Sequence, residues 1–330
     1  MAELSQSKGK AIAIVENSNV KSENGTIIYL YHTDHKCCLE CGPKCSSKKK
    51  CCEGCAKITY HGKLHNGSSD EVDVDRLKKL MMVFKNKNIN FTEDELDEIL
   101  ENESNVGAGL KGSNIQKDKI VLRSGNFQIC PSNIYGAPNR IYYAGMPGSG
   151  KTFSLAEYVV LFKKMKPNYR IYLLSQKPND KLLDKLIHKR IPLDSLPDAN
   201  FEAEDFKESL LIADDVDTIS DKTVEKATFD LIDKCLEVGR SLDTFMCLTM
   251  HLPANNKQTR RILNSSTHYV YFKNSSNHGN DYVLENYYGF GKDEIKKLKK
   301  INSRSITIIR DVPQLVMAND LLCFQSKLTE

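Results

Sequence analysis

The sequence predicts an α/β fold: a mainly parallel sheet with helices on both faces over residues 119–330, joined to a cysteine-rich N-terminal region that resembles a zinc ribbon. Three observations predict it. Apolar strand-like runs alternate with helix-like runs throughout that stretch. A glycine-rich octapeptide, residues 145–152, stands between an apolar run and a helical one, where a strand hands over to a helix. A second apolar run, 210–213, closes in the adjacent acids Asp214 and Asp215, as a strand buried on both faces closes at the sheet's edge.

From the N-terminus, residues 11–15 and 26–31 read as strands joined by an Asn/Ser/Gly-rich turn, and 57–60 as a third strand after the cysteines. These make a first region, 1–66. In a second, 67–118, Val74, Leu77, Leu80, Met81 and Phe84 recur at helical spacing. Thr92-Glu93-Asp94-Glu95 then opens another helix as a capping box, which predicts a helical hairpin. A Gly/Ser/Asn-rich linker, 104–114, leads to the third region, 119–330. Its expected strands are 120–123, 127–130, 140–144, 170–175, 210–213, 244–249, 269–272 and 305–310, with helices between most of them.

The chain's 330 residues allow one sizeable core with appended pieces. Neither a membrane-spanning apolar run nor an N-terminal signal peptide is expected. A net charge of +4 is too small to argue for nucleic acid by itself. Seven of the eleven cysteines lie between Cys37 and Cys55. Without a signal peptide, zinc is the better reading of that cluster than disulfides. Cys38/Cys41 and Cys52/Cys55 form two C-x₂-C pairs, the turn that supplies two thiolates to a tetrahedral Zn²⁺. Cys37, Cys45, Cys51 and the nearby His32, His35, His61 and His65 leave room for a second ion. Lys48-Lys49-Lys50 could meet a phosphate backbone, balance thiolate charge or bind a protein.

The octapeptide Gly145-Met146-Pro147-Gly148-Ser149-Gly150-Lys151-Thr152 matches the phosphate-loop pattern G-x-x-x-x-G-K-[ST] in full. Its glycines let successive N–H groups turn toward a phosphate, and the helix that follows adds its positive end. The pattern assigns Lys151 to the β- and γ-phosphates of ATP and the Thr152 hydroxyl to Mg²⁺. Asp214 is the expected Mg²⁺ partner, through water, and Asp215 the general base, with Asp217 a weaker third. The bland alternative is a helix-capping acid cluster. On the next strand, His251 is the candidate sensor of the γ-phosphate, with Thr249 second. Arg240, after a helix and Gly239, is the candidate arginine finger; Arg260 and Arg261 are its rivals.

Taken together, these segments resemble the genome-packaging ATPases of large DNA viruses, the poxvirus-type branch of the FtsK/HerA superfamily of P-loop NTPases. The resemblance is carried by residues 144–152, 211–215, 237–240, 249–251 and 259–273, in that order, and covers about 119–330. It implies a ring oligomer, a hexamer, that hydrolyses ATP to push double-stranded DNA into a preformed capsid, with capsid proteins as further partners. The site of action it implies is the host cytoplasm where virions assemble, with virion association. Asp215 stands where the superfamily more often has Glu, and His251 where many relatives have Gln. The cysteine-rich region is outside the resemblance. Two other functions compete: a nucleotide kinase or switch NTPase, and a zinc-bearing interaction protein without turnover.

Overall fold

A computed structural model describes residues 2–6, 9–32, 59–60, 63–64, 110, 113–134, 137–254, 257–273 and 277–328. Its main sheet is eleven-stranded. Six strands hold its parallel part, in the spatial order β13 (Lys189–Pro192), β12 (Arg170–Ser175), β14 (Ser209–Asp214), β15 (Thr244–Met250), β11 (Arg140–Ala144) and β16 (His268–Phe272). Every residue of β14, β15 and β16 is buried, which is why these segments read as unbroken apolar runs rather than alternating ones. In β11, Ile141 and Tyr143 enter the core on one face, Tyr142 and Ala144 the core on the other.

Beyond β16 the sheet continues antiparallel through β17 (Ser305–Ile309), β18 (Leu315–Met317), β19 (Leu321–Phe324), β7 (Lys119–Val121) and β6 (Asn114–Ile115). The sequence predicts a mainly parallel sheet, and the block that bears the site is parallel. Within that half, β17, β18 and β19 are joined by turns too short for a crossover helix, which makes their pairing antiparallel.

The helices divide between the two faces. On one lies α1 (Lys151–Met165), whose Leu155, Val159 and Phe162 are fully buried. On the other lie α2 (Lys222–Val238), α3 (Lys257–Ser265), α4 (Asn277–Tyr288) and α5 (Lys292–Lys300), through side chains such as Phe229, Ile262, Val283 and Leu298. Asp221 caps α2 by accepting hydrogen bonds from the Thr223 and Val224 N–H groups.

The N-terminal strands depart from expectation. The sequence reading assigns them to a separate unit, 1–66, framing the cysteines. Instead β1 (Ala2–Ser5), β3 (Ile27–His32) and β2 (Lys10–Glu16) form a four-stranded antiparallel sheet with β8 (Asn126–Ile129), in the order β1-β3-β2-β8. In β2, Ile12, Ala13, Ile14 and Val15 are all buried, more apolar surface than a small metal module covers. Ile12, Val15 and Ile28 share a core with α1, and Lys10 pairs with Asp311 after β17. Cys38, Cys41, Cys52 and Cys55, and the helical hairpin expected within 67–118, lie outside the described residues. A two-stranded hairpin, β4 (Thr59–Tyr60) and β5 (Lys63–Leu64), stands near the third strand expected there.

Candidate active site

Three neighbouring strands, β14, β15 and β11, end side by side, and the candidate residues gather at their carboxyl ends. After Ala144 the Gly145 N–H donates to the Met250 carbonyl at 3.1 Å, so the loop leaves the sheet tied to β15. Gly148 (φ 77°) and Gly150 (φ 110°) hold left-handed conformations that an L side chain adopts only under strain. Lys151 opens α1 and is buried, its side chain 6% exposed. Its Nζ donates to the Gly145 carbonyl at 2.6 Å and stands 3.7 Å from Asp215 Oδ1. Burial pulls the Lys151 ammonium below its ordinary pKa, against the attraction of Asp215, Asp214 and Asp217.

Thr249 organises the two acids. The register that sets Ala213 beside Leu248 brings its hydroxyl to the end of β14. Thr249 Oγ1 donates to Asp214 Oδ1 at 2.8 Å and accepts the Asp215 N–H at 2.8 Å. Asp215 has φ 52° and ψ 38°, a left-handed conformation that aspartate tolerates better than most residues. The environments of the two carboxyls differ. Burial and the neighbouring charge of Asp215 push Asp214 up, opposed by the Thr249 hydrogen bond and by Lys177. Burial alone would raise Asp215 too, but the hydrogen bond from Lys177 and the charges of Lys151, Lys177 and His251 outweigh it and hold that carboxyl low.

Lys177 escaped the sequence reading. It follows β12, and its Nζ lies 2.7 Å from Asp215 Oδ2 and 3.4 Å from Asp214 Oδ2. Its N–H donates to Ser175 Oγ at 3.2 Å, and Arg190 donates to its carbonyl at 2.6 Å, so the backbone there is held. No motif marks it: only the parallel pairing of β12 with β14 brings it to the acids.

His251 Nε2 stands 3.7 Å from Asp215 Oδ1, and its Nδ1 stands 3.5 Å from Asp217 Oδ1. Asp217 Oδ2 accepts the His251 N–H at 2.8 Å and the Leu252 N–H at 3.2 Å, which makes Asp217 the brace of that turn. Met146, Pro147, Gly148, Gly150, Lys151 and Thr152 line a cleft of about 500 Å³ together with Ser175, Gln176, Lys177, Asp214, Asp215, Thr218 and His251. That volume falls in the range of small-molecule sites.

Arg240 is not brought to this cleft. It is exposed at the far end of the sheet, after α2, and its charge bears on Arg140, the first residue of β11. The length of β11 separates the two ends by roughly 13 Å. Arg260 is exposed on α3, and Arg261 pairs there with Asp233.

Oxygen ligands from one carboxylate and one hydroxyl, in a cleft whose acids already hold a lysine ammonium, suit a hard divalent cation. Among the described residues no cluster of three or more His, Cys, Asp or Glu is arranged to hold a metal. Mg²⁺ carried in by phosphate and water needs none. Among the described residues, no helix is long and apolar enough to cross a membrane.

No protein-family model matches the chain. Among solved structures it is similar to the genome packaging NTPase B204 of Sulfolobus turreted icosahedral virus 2 in complex with AMP. The identity is 12% and the TM-score 0.38, over 55% of this chain and 96% of that one. It is also similar to the pCW3 conjugation coupling protein TcpA with ATPγS, at 12% identity and a TM-score of 0.40, over 62% and 66% of the two chains. A virophage protein is nearer in sequence. Uncharacterized protein V3 of the Sputnik virophage is 33% identical over 202 residues, 61% of this chain and 82% of V3. With a third of the residues shared across most of V3, this chain belongs to the V3 family.

Proposed function

We propose that this chain is an ATPase whose turnover drives viral double-stranded DNA into a capsid. The observation that carries this reading is the meeting, in one cleft, of the phosphate loop after β11, His251 just after β15 and the acids Asp214 and Asp215 at the end of β14, with Thr249 buried behind them and bonded to Asp214. In it the loop N–H groups cradle the ATP phosphates, and Lys151 leaves the Gly145 carbonyl to meet the β- and γ-phosphates. Thr152 and, through water, Asp214 would hold Mg²⁺, which when bound would neutralise charge on the phosphates. Asp215, ionised at neutral pH, orients the attacking water and takes its proton. His251, beside Asp215, responds to the γ-phosphate.

The chemistry favours hydrolysis over the competing functions. No arginine is among the described residues lining the cleft, where a nucleotide kinase closes several over its donor. A protein that only binds nucleotide has no need of a general base beside the acid that meets Mg²⁺. The exposed position of Arg240, at the end of the sheet away from its own cleft, suits delivery to a neighbour in a ring, taken as a hexamer. The C-x₂-C pairs Cys38/Cys41 and Cys52/Cys55 support a zinc-bearing appendage, and viral DNA, capsid protein and the cytoplasmic assembly site belong to the same reading.

The test is ATP turnover by the full chain with and without long duplex DNA. Strong stimulation by DNA is expected. Phosphoryl transfer to a nucleotide, or no turnover at all, would sink the proposal.

A further inference from the structure

We infer that Arg304 is a positioning residue of the nucleotide site, holding the phosphate loop from its outer side. The inference rests on reading the cleft as an ATP site. A loop that turns its N–H groups toward phosphate turns carbonyls the other way, and those need partners. Arg304, 155 residues along the chain from Ser149, supplies them. Its Nε donates to the Ser149 carbonyl at 2.7 Å and its Nη2 reaches the Gly148 carbonyl at 3.4 Å. One guanidinium thus spans two consecutive carbonyls, a fork that a lysine ammonium does not reproduce.

The same placement of the guanidinium brings it against Gly150. A Cβ placed there would lie 2.6 Å from Arg304 Cζ, 2.7 Å from Nε and 2.8 Å from Nη2. The guanidinium lies against the junction of loop and helix, in the space a Cβ at residue 150 would enter. Gly150 is required for its backbone angle, and a side chain there would push the guanidinium off the loop.

Arg304 is itself held. Its carbonyl accepts the Lys273 N–H at 3.4 Å, and Lys273 Nζ bonds the Ile301 carbonyl. Ser303 Oγ donates to the Ser305 carbonyl at 2.6 Å and accepts the Asn319 N–H at 3.3 Å. These residues lie at and just before the start of β17, just after its neighbour β16 and in the turn that follows β18. The antiparallel half of the sheet thereby anchors a clamp on the loop that the parallel half presents.

The clamp acts on the loop before nucleotide arrives and is unchanged as the reaction proceeds. It therefore favours bound ATP, bound ADP and the transition state alike, which is uniform binding. Its charge also adds to the positive field around the phosphates, though exposure screens it.

The experiment is steady-state ATP hydrolysis and ADP binding by calorimetry with the full-length protein. For Arg304→Ala, KM for ATP and Kd for ADP should rise together, by about tenfold for two lost hydrogen bonds, one strong and one long. The kcat should stay within about twofold. Arg304→Lys, which keeps the charge and one donor, should recover part of the affinity, and Arg304→Gln less. If Arg304→Ala melts early, those two variants carry the same comparison. Unaltered ADP affinity in all three, or a fall in kcat with affinity intact, would overturn the inference. Absence of ADP binding to the wild-type protein would overturn instead the nucleotide-site reading beneath it.

Discussion

Lys151, Asp215 and Lys177 form a row of alternating charge across the cleft, with Asp215 held from both sides at 3.7 Å and 2.7 Å. Each end of the row has a testable consequence. Lys151→Ala should retain the fold and lose turnover, because its ammonium meets phosphate charge and has no hydrophobic role. Asp215→Asn should still bind Mg·ATP, measured by calorimetry, yet turn over at least ~100-fold more slowly, the scale for losing a general base. Full activity in Asp215→Asn would move the base to another acid. Lys177 allows a pH test whose sign does not depend on which acid is limiting. It lowers the pKa of both carboxyls, through a hydrogen bond and its charge. Without it both rise, so protonation reaches them at higher pH. The acid limb of kcat/KM, which reports the free enzyme, should therefore shift upward in Lys177→Ala. An unmoved limb would place Lys177 away from the acids in solution.

Among the elements, β15 is the one that makes the site a unit. It lies between the strand that leads into the loop and the strand that ends in the acids, and its Thr249 bonds to both acids. Asp214 is 2% exposed, so its carboxylate has little access to water should that bond be lost. Thr249→Val keeps the shape and removes the hydroxyl. It should cost about 1–3 kcal/mol in urea unfolding, the desolvation penalty of an unsatisfied buried polar group. It should also slow turnover by loosening the Asp215 backbone. Wild-type stability in this variant would mean that the hydroxyl is replaced by water and that β15 does not fix the acids.

For the whole molecule, the separation of Arg240 from the cleft of its own chain turns its role into a question of assembly. Arg240→Ala alone should be inactive if every site in a ring lacks its finger. Mixed with Lys151→Ala subunits, it should recover partial activity at interfaces that pair an intact Lys151 with an intact Arg240. Mixed rings no more active than either parent would make Arg240 structural, as its proximity to Arg140 permits. The same scale shows why the N-terminal strands cannot be treated as an accessory. Their Ile12, Val15 and Ile28 pack in the core that seats α1, the helix of the phosphate loop.

The sequence by itself determined what is local. The loop motif, the apolar strand tipped by acids and the alternation of strands with helices are each set by a few consecutive residues, through backbone freedom, burial and periodicity. His251 and Thr249 were legible for the same reason, as polar residues closing an apolar run. The tertiary structure alone decided what depends on distant pairing. Lys177 reaches the acids because β12 pairs with β14. Arg304 reaches Ser149 because an antiparallel extension folds back beside β16. Strands β1 to β3 join β8 because the free edge of β2 needs partners for its N–H and C=O groups, which the chain supplies from residues more than a hundred positions away. Side-chain type and spacing carry the first kind of information; the second exists only once strands have found their neighbours, since no periodicity records which strands pair.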